Sequence, residues 1–338
     1  MSGSAWARLI ERAKWAEDRL RPLAEKRWLR LGLQVTVILL CLAYLGLNLR
    51  NAGSQLGDLH IRYGRLGLAW LLTTLAVYLG ALGWWFTLRA LGQPAGFLPS
   101  LRAHLLSNLA KYAPGYAWQL VGKAYLARGM GLTGRAVGLA MALELAQLVL
   151  AGLALSAGLL PGELVQSWPA GARLGLGPLR AFGLALFAGL PIAIGVLLAR
   201  RGQGRAGVQL RPAMFIAATL AMLAGWLLFG YAFWLIGAAL QPLPVADLPL
   251  FIFTLTASFL LGLAILIVPG SIGVRESIMV FLLSSVHLPA ALAVVIAALS
   301  RVIVTLSELA GALVLEAILR VSRYSKSISE PIGEEQNP

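Results

Sequence analysis

The chain has 338 residues, 59% of them hydrophobic and only 12% charged, with a formal net charge of +14. Soluble domains run at roughly 45–50% apolar and about 25% charged residues, so this composition excludes a soluble protein and specifies an integral membrane one. The basic residues are scattered between apolar runs, as the positive-inside rule requires, and no nucleic-acid-binding motif accompanies them, which excludes nucleic acid as the partner.

Residues 1–30 read as a basic amphipathic segment. Trp6, Leu9, Ile10, Ala13, Ala16 and Leu20 recur at helical spacing, and Arg8, Arg12, Arg19 and Lys26 supply the polar side. Such a segment lies on the cytoplasmic lipid surface or acts as a topogenic tail. Leu31–Leu49 is the first expected span and Leu66–Leu88 the second, joined by a loop that carries Arg50, Arg62 and Arg65. The single cysteine, Cys41, falls in the first span, so neither a disulfide nor a thiolate metal site forms within one chain.

Residues 100–128 are flanked by positive charge on both sides, Arg89 and Arg102 before and Arg128 and Arg135 after. Like-charged flanks place entry and exit on one face, which predicts a re-entrant pair of half-helices broken at Pro114 and Gly115. Further spans are expected at Ala136–Leu160, Ala181–Ala199, Pro212–Leu240 and Leu248–Val268. Ser277–Leu288 is either a half-helix or a thin crossing, and Pro289–Leu319 is long. The sum is an all-α integral membrane fold of about eight helices. It occupies residues 31–320, with a polar cytoplasmic tail at 321–338 and both termini cytoplasmic.

The second break is VPGSIGVRE, Val268–Glu276. Pro269 stops the incoming helix, and Gly270 and Gly273 permit backbone angles that other residues resist. A helix, a Pro-Gly pair and a basic residue soon afterwards occur at 107–123 and again at 258–275. Broken helices in corresponding places suggest an internal repeat with a site at its interface.

Charges inside these spans cost about 2.5–3.5 kcal/mol each on the insertion scale, so each needs a partner, water or a ligand. Glu144 is mid-span with Gln147 one turn on, while Arg301 is followed by Thr305 and Glu308 on one face. Lys111, Lys123, Arg275 and Glu276 flank the two breaks. Two arrangements are open. In one, Glu144 pairs with Arg301, or Arg301 with Glu308, and the pairs only lock helices together. In the other, Lys123, Arg275 and Arg301 meet a phosphate in a polar cavity, helped by half-helix N-termini, with Glu144 and Glu276 as counter-charges. The three histidines, His60, His104 and His287, lack metal spacing and read as loop or interfacial residues. No hydrolase, protease or phosphate-loop motif is present, so no cofactor and no metal is expected.

NLAKYAPGYAWQLVGK, followed by VPGSIGVRE and an arginine in the last span, resembles the flippase-like family of bacterial membrane proteins. This is the transmembrane region of lysylphosphatidylglycerol synthases, which also occurs alone in YbhN-like proteins, and the resemblance covers roughly residues 30–320. It implies a helical fold with re-entrant segments in the bacterial inner membrane and a role in moving lipid between leaflets. Members with a fused C-terminal synthetase domain aminoacylate phosphatidylglycerol. No such domain lies within this sequence, so synthase activity is not carried over. The family pattern falls on Asn108, Lys111, Pro114, Gly115, Lys123, Glu144, Pro269, Gly270, Gly273, Arg275, Glu276 and Arg301. This sequence departs from it at Ser271, where a glycine is expected, and at Lys123, where arginine is expected and bidentate phosphate geometry is lost.

The leading expectation is a lipid translocator rather than an enzyme. Its substrate would be an anionic phospholipid or a polyprenyl-phosphate lipid, bound by Asn108, Lys111, Lys123, Glu144, Arg275, Glu276 and Arg301. One alternative is a scaffold that recruits a cytoplasmic synthetase or glycosyltransferase through the basic N-terminal segment. The other is a membrane-embedded transferase with Glu144 or Glu276 as general base.

Overall fold

The computed structural model describes residues 61–112, 118–166, 211–264, 273–286 and 288–329, together with isolated positions at 39–47 and 176–185. Most of the expected spans at 31–49 and 181–199, and all of the basic N-terminal segment and the break residues Pro114, Gly115, Pro269 and Gly270, lie outside these described residues.

Nine helices are described. They are α1 (Tyr63–Ala90), α2 (Phe97–Leu109), α3 (Trp118–Arg128), α4 (Gly134–Gly158), α5 (Gly162–Gln166), α6 (Pro212–Leu240), α7 (Leu248–Ala264), α8 (Val274–Ser284) and α9 (Ala290–Ser329). Short 3-10 turns, Ala110–Tyr112 and Val245–Asp247, extend α2 and precede α7. Five stretches are long and apolar enough to cross a bilayer: Tyr63–Ala90, Gly134–Gly158, Pro212–Leu240, Val245–Ala264 and Ala290–Val321. Outward faces stay apolar, with Leu71, Leu75, Leu220, Ile216 and Leu313 each at least half exposed, as a lipid solvent demands.

Local signals explain the helix limits. Thr133 caps α4 by accepting the Ala136 N–H at 3.3 Å, and Pro212 occupies the first turn of α6, where its missing N–H costs nothing. Gly273, with φ of 81°, sits in the left-handed region that favours glycine and starts α8. The 11 residues of α8 rise about 16 Å, roughly half a hydrocarbon core. The stretch after the second break is therefore a half-helix and not a crossing.

Packing then fixes the frame. The largest core joins α6, α7, α8 and α9 through Phe233, Ile236, Phe251, Val280, Leu283 and Ile296. Gly230 lets α6 and α7 touch, since a Cβ there would meet Ile252 Cγ1 at 2.5 Å. A second core joins α1, α3, α4 and α6 (Trp84, Leu88, Ala127, Val137, Ala140, Phe215), and a third joins α1, α2 and α9 (Val77, Ala81, Leu101, Leu105, Ala312, Leu315).

The α2/α3 pair is held between those last two cores. Gln119 Nε2 donates to Asn108 Oδ1 at 2.8 Å, and Lys123 Nζ lies 3.1 Å from His104 Nδ1. Residue numbers fall along one helix as they rise along the other, so α2 and α3 form an antiparallel hairpin. At 13 and 11 residues neither arm spans the roughly 30 Å core. That is the geometry of a re-entrant element.

Candidate functional site

Two groups of charged side chains form where the hairpin and the half-helix α8 meet the long helices. The first is buried between α2, α3 and α4. Lys123 Nζ donates to both Glu144 carboxylate oxygens, at 2.7 and 2.6 Å, and lies 4.4 Å above the Trp84 ring. His104 Nδ1 is 3.0 Å from Glu144 Oε1. Lys123, His104 and Glu144 are 5%, 7% and 9% exposed. One turn along α4, Gln147 donates to Thr219 Oγ1 at 3.3 Å and accepts from Thr87 Oγ1 at 3.0 Å. This polar belt crosses the bundle interior from α2 to α6. Its formal charge closes on itself, one cation against one carboxylate, with a neutral or charged imidazole beside them.

The second group lies between α2, α8 and α9. Glu276, in the first turn of α8, accepts the Gly273 N–H with Oε2 at 2.8 Å and holds Arg301 Nη1 3.6 Å from Oε1. The anion that a helix N-terminus attracts is thus supplied by the helix itself. Glu308, two turns beyond Arg301 on α9, pairs with Lys111 and accepts the Tyr112 hydroxyl at 2.8 Å. Arg275 stacks its guanidinium 4.8 Å from the Phe259 ring. Its Nε is buried without a hydrogen-bond partner among the described residues. Three cations (Lys111, Arg275, Arg301) face two carboxylates (Glu276, Glu308), leaving one positive charge in excess. A cavity of about 40 Å³ opens beside Arg275, Glu276 and Arg301, which with Ser300 and Thr73 form its polar side, while side chains such as Phe233 and Met279 make the rest of its wall apolar.

The expected helix-locking pairs take other partners. Glu144 does not meet Arg301: α4 packs on α1, α3, α6 and α7, while α9 packs on α1, α2, α6 and α8. Arg301 does not pair with Glu308 either. Seven residues along a helix separate them by about 10 Å, and Lys111 reaches Glu308 across the hairpin interface instead.

Of the residues expected to meet a headgroup, Arg275, Glu276 and Arg301 line one cavity. Lys111 joins their group through Glu308, and Asn108 ties the hairpin arms together. Lys123 and Glu144 lie in the buried group and are spent on each other. Gly273 starts α8, while Pro114, Gly115, Pro269 and Gly270 fall outside the described residues.

The expectation that His104 is a loop or interfacial residue is overturned, because it lies within α2 and is buried against Glu144; Tyr112 and Trp84 are further functional candidates that the residue pattern does not single out. His104, Asn108 and Lys111 follow one another at i, i+4 and i+7, a polar stripe on a single helix face that could have marked His104 as interior.

The family model described as lysylphosphatidylglycerol synthase TM region matches residues 30–311, which contain both charged groups. No curated protein matches the chain.

Proposed function

The chain belongs to the lysylphosphatidylglycerol synthase TM-region family, and from that premise we propose that it binds an anionic phospholipid or a lipid-linked phosphate and moves it between leaflets. The observation that carries this reading is Arg275. An arginine inside a membrane protein is costly unless a partner or ligand meets it, and its planar fork matches the paired oxygens of a phosphodiester. Its own helix offers Glu276, which is already engaged by Gly273 and Arg301. The excess positive charge of the group therefore falls at Arg275, beside a cavity that Arg301 also lines.

The headgroup phosphate would sit between Arg275 and Arg301, with its acyl or prenyl tails left in lipid. The present cavity has room for a few waters rather than a phosphate, so entry requires α8 to move away from the other helices that line it. The role is transport and not catalysis, in the bacterial inner membrane, with both termini on the cytoplasmic side.

Leaflet transfer of fluorescent phosphatidylglycerol in proteoliposomes tests the proposal. Transfer is expected to fall about tenfold or more in Arg275→Ala, the loss of one charge-assisted contact. Unchanged transfer in both Arg275→Ala and Arg301→Ala overturns it.

A further inference from the structure

The buried group of Lys123, Glu144 and His104 is not explained by headgroup capture. All three side chains are nearly inaccessible, and their polar atoms point at one another. A plain lysine–glutamate pair would suffice to fasten α3 to α4; the imidazole is superfluous for that purpose.

Hydrogen bonding inside the group is over-subscribed. His104 Nδ1 is within 3.0 Å of Glu144 Oε1 and 3.1 Å of Lys123 Nζ. A ring nitrogen carries either a hydrogen or a lone pair, so it can donate to Glu144 or accept from Lys123, but not both. With a neutral imidazole either choice is satisfied, because Lys123 still has both carboxylate oxygens. A proton added to the imidazole forces Nδ1–H toward Glu144. Lys123 then faces a second cation at 3.1 Å, and one carboxylate must serve two positive charges. A proton added to Glu144 instead removes the anion that holds Lys123. Either placement weakens the same contact.

We propose that Lys123, Glu144 and His104 form a proton-loading site, and that loading it releases Lys123 from Glu144 and loosens α3 from α4. The proton balance is one proton taken from water onto the imidazole or the carboxylate, which raises the group from neutral to +1. No other bond is made or broken. The remaining neighbours do not compete for the proton. The polar side chains that α1 and α6 contribute nearby, Trp84, Thr87 and Thr219, are not titratable.

The hairpin joins this site to the other charged group, since α2 carries His104 and runs on into the turn whose Lys111 and Tyr112 are held by Glu308. A loosened hairpin would shift Lys111 and Tyr112 against Glu308 and free Lys123 to approach an anion. Proton and headgroup would then bind together. By linkage, whatever the proton adds to anion affinity the anion adds to proton affinity. This last coupling rests on the lipid reading; the proton site does not.

Two measurements test the proton site without any anionic lipid, in phosphatidylcholine nanodiscs of the full chain. In ¹⁵N-histidine NMR, the signal that disappears in His104→Gln is followed across about pH 5–8, where an imidazole ordinarily changes charge. It is expected to pass from neutral to protonated and to change its titration in Glu144→Gln. A signal constant with pH, or the same in Glu144→Gln, overturns the proposal.

The second measurement is the distance between spin labels at the exposed positions Tyr125 on α3 and Leu145 on α4, in a Cys41→Ser background. The distance is expected to lengthen as pH falls, and to stay long at every pH in Glu144→Gln. A pH-independent distance in the parent chain overturns the release of Lys123. Because the parent chain is read directly, a variant that folds poorly does not spoil the result. A failed lipid-transfer assay leaves both readouts standing, so the two ideas fail separately.

Discussion

The two charged groups both set basic side chains against glutamates and differ in how they close. Around Glu144, one lysine meets one carboxylate at 2.6–2.7 Å with both side chains buried. Around Arg301, the nearest carboxylate oxygen is 3.6 Å away, the arginine side chain is 28% exposed, and the Arg275 Nε has no hydrogen-bond partner among the described residues. A closed group contributes to holding helices together and is severely destabilising when halved. An open group tolerates the loss of a member but loses its ligand. Removing residues from each group should therefore give opposite phenotypes.

The largest effect is expected at the closed group. Lys123→Ala or Glu144→Ala leaves one buried charge without its partner, at a cost of about 3–5 kcal/mol. Folded yield in detergent, read by size-exclusion profile and thermal unfolding, should collapse. The double variant Lys123→Met/Glu144→Gln removes both charges and should recover much of the loss. A double variant no better than either single would break the claim that the pair closes on itself.

Next comes the open group. Arg275→Ala should change thermal stability by no more than about 1 kcal/mol, since no hydrogen bond of its Nε is lost, while phosphatidylglycerol affinity falls by about 10-fold to 100-fold. Arg301→Lys sharpens the same point. It keeps the charge but not the fork, so its affinity for phosphatidylglycerol should fall between those of the parent and Arg301→Ala. Equal loss in the lysine and alanine variants would assign Arg301 a geometric role alone.

The smaller effects lie at the hairpin's ties. Asn108→Ala removes a neutral hydrogen bond to Gln119, worth about 1 kcal/mol. Glu316→Gln, which loosens the partly exposed contact to Arg102, should cost no more than about 1 kcal/mol. Thermal unfolding of both variants checks the order.

The architecture was largely legible in the residues. Proline and glycine punctuate the chain, and charge-free runs of span length stand between them, so α6 begins and ends at Pro212 and Leu240 as the sequence reading placed them. The hairpin was legible because its flanks share a sign of charge. Partner choice was not legible. Whether Glu144 meets Lys123 or Arg301 depends on which helices pack side by side, and spacing along one helix carries no information about that. The i+7 stripe of Arg301 and Glu308 was visible, but its distance along the axis exceeds an ion pair, and the carboxylate that approaches Arg301 comes from α8. His104 was misplaced at a loop or interface for a related reason. Its one signal, the stripe it shares with Asn108 and Lys111, points inward only once the helix that presents it is known to be a buried half-helix.

The account turns on the open group being an anion site, and native mass spectrometry with equal phosphatidylglycerol and phosphatidylcholine tests that most directly. The parent chain should retain phosphatidylglycerol in preference, and Arg275→Ala should lose the preference while remaining folded. Equal retention of phosphatidylglycerol by the parent and by Arg275→Ala would contradict the assignment.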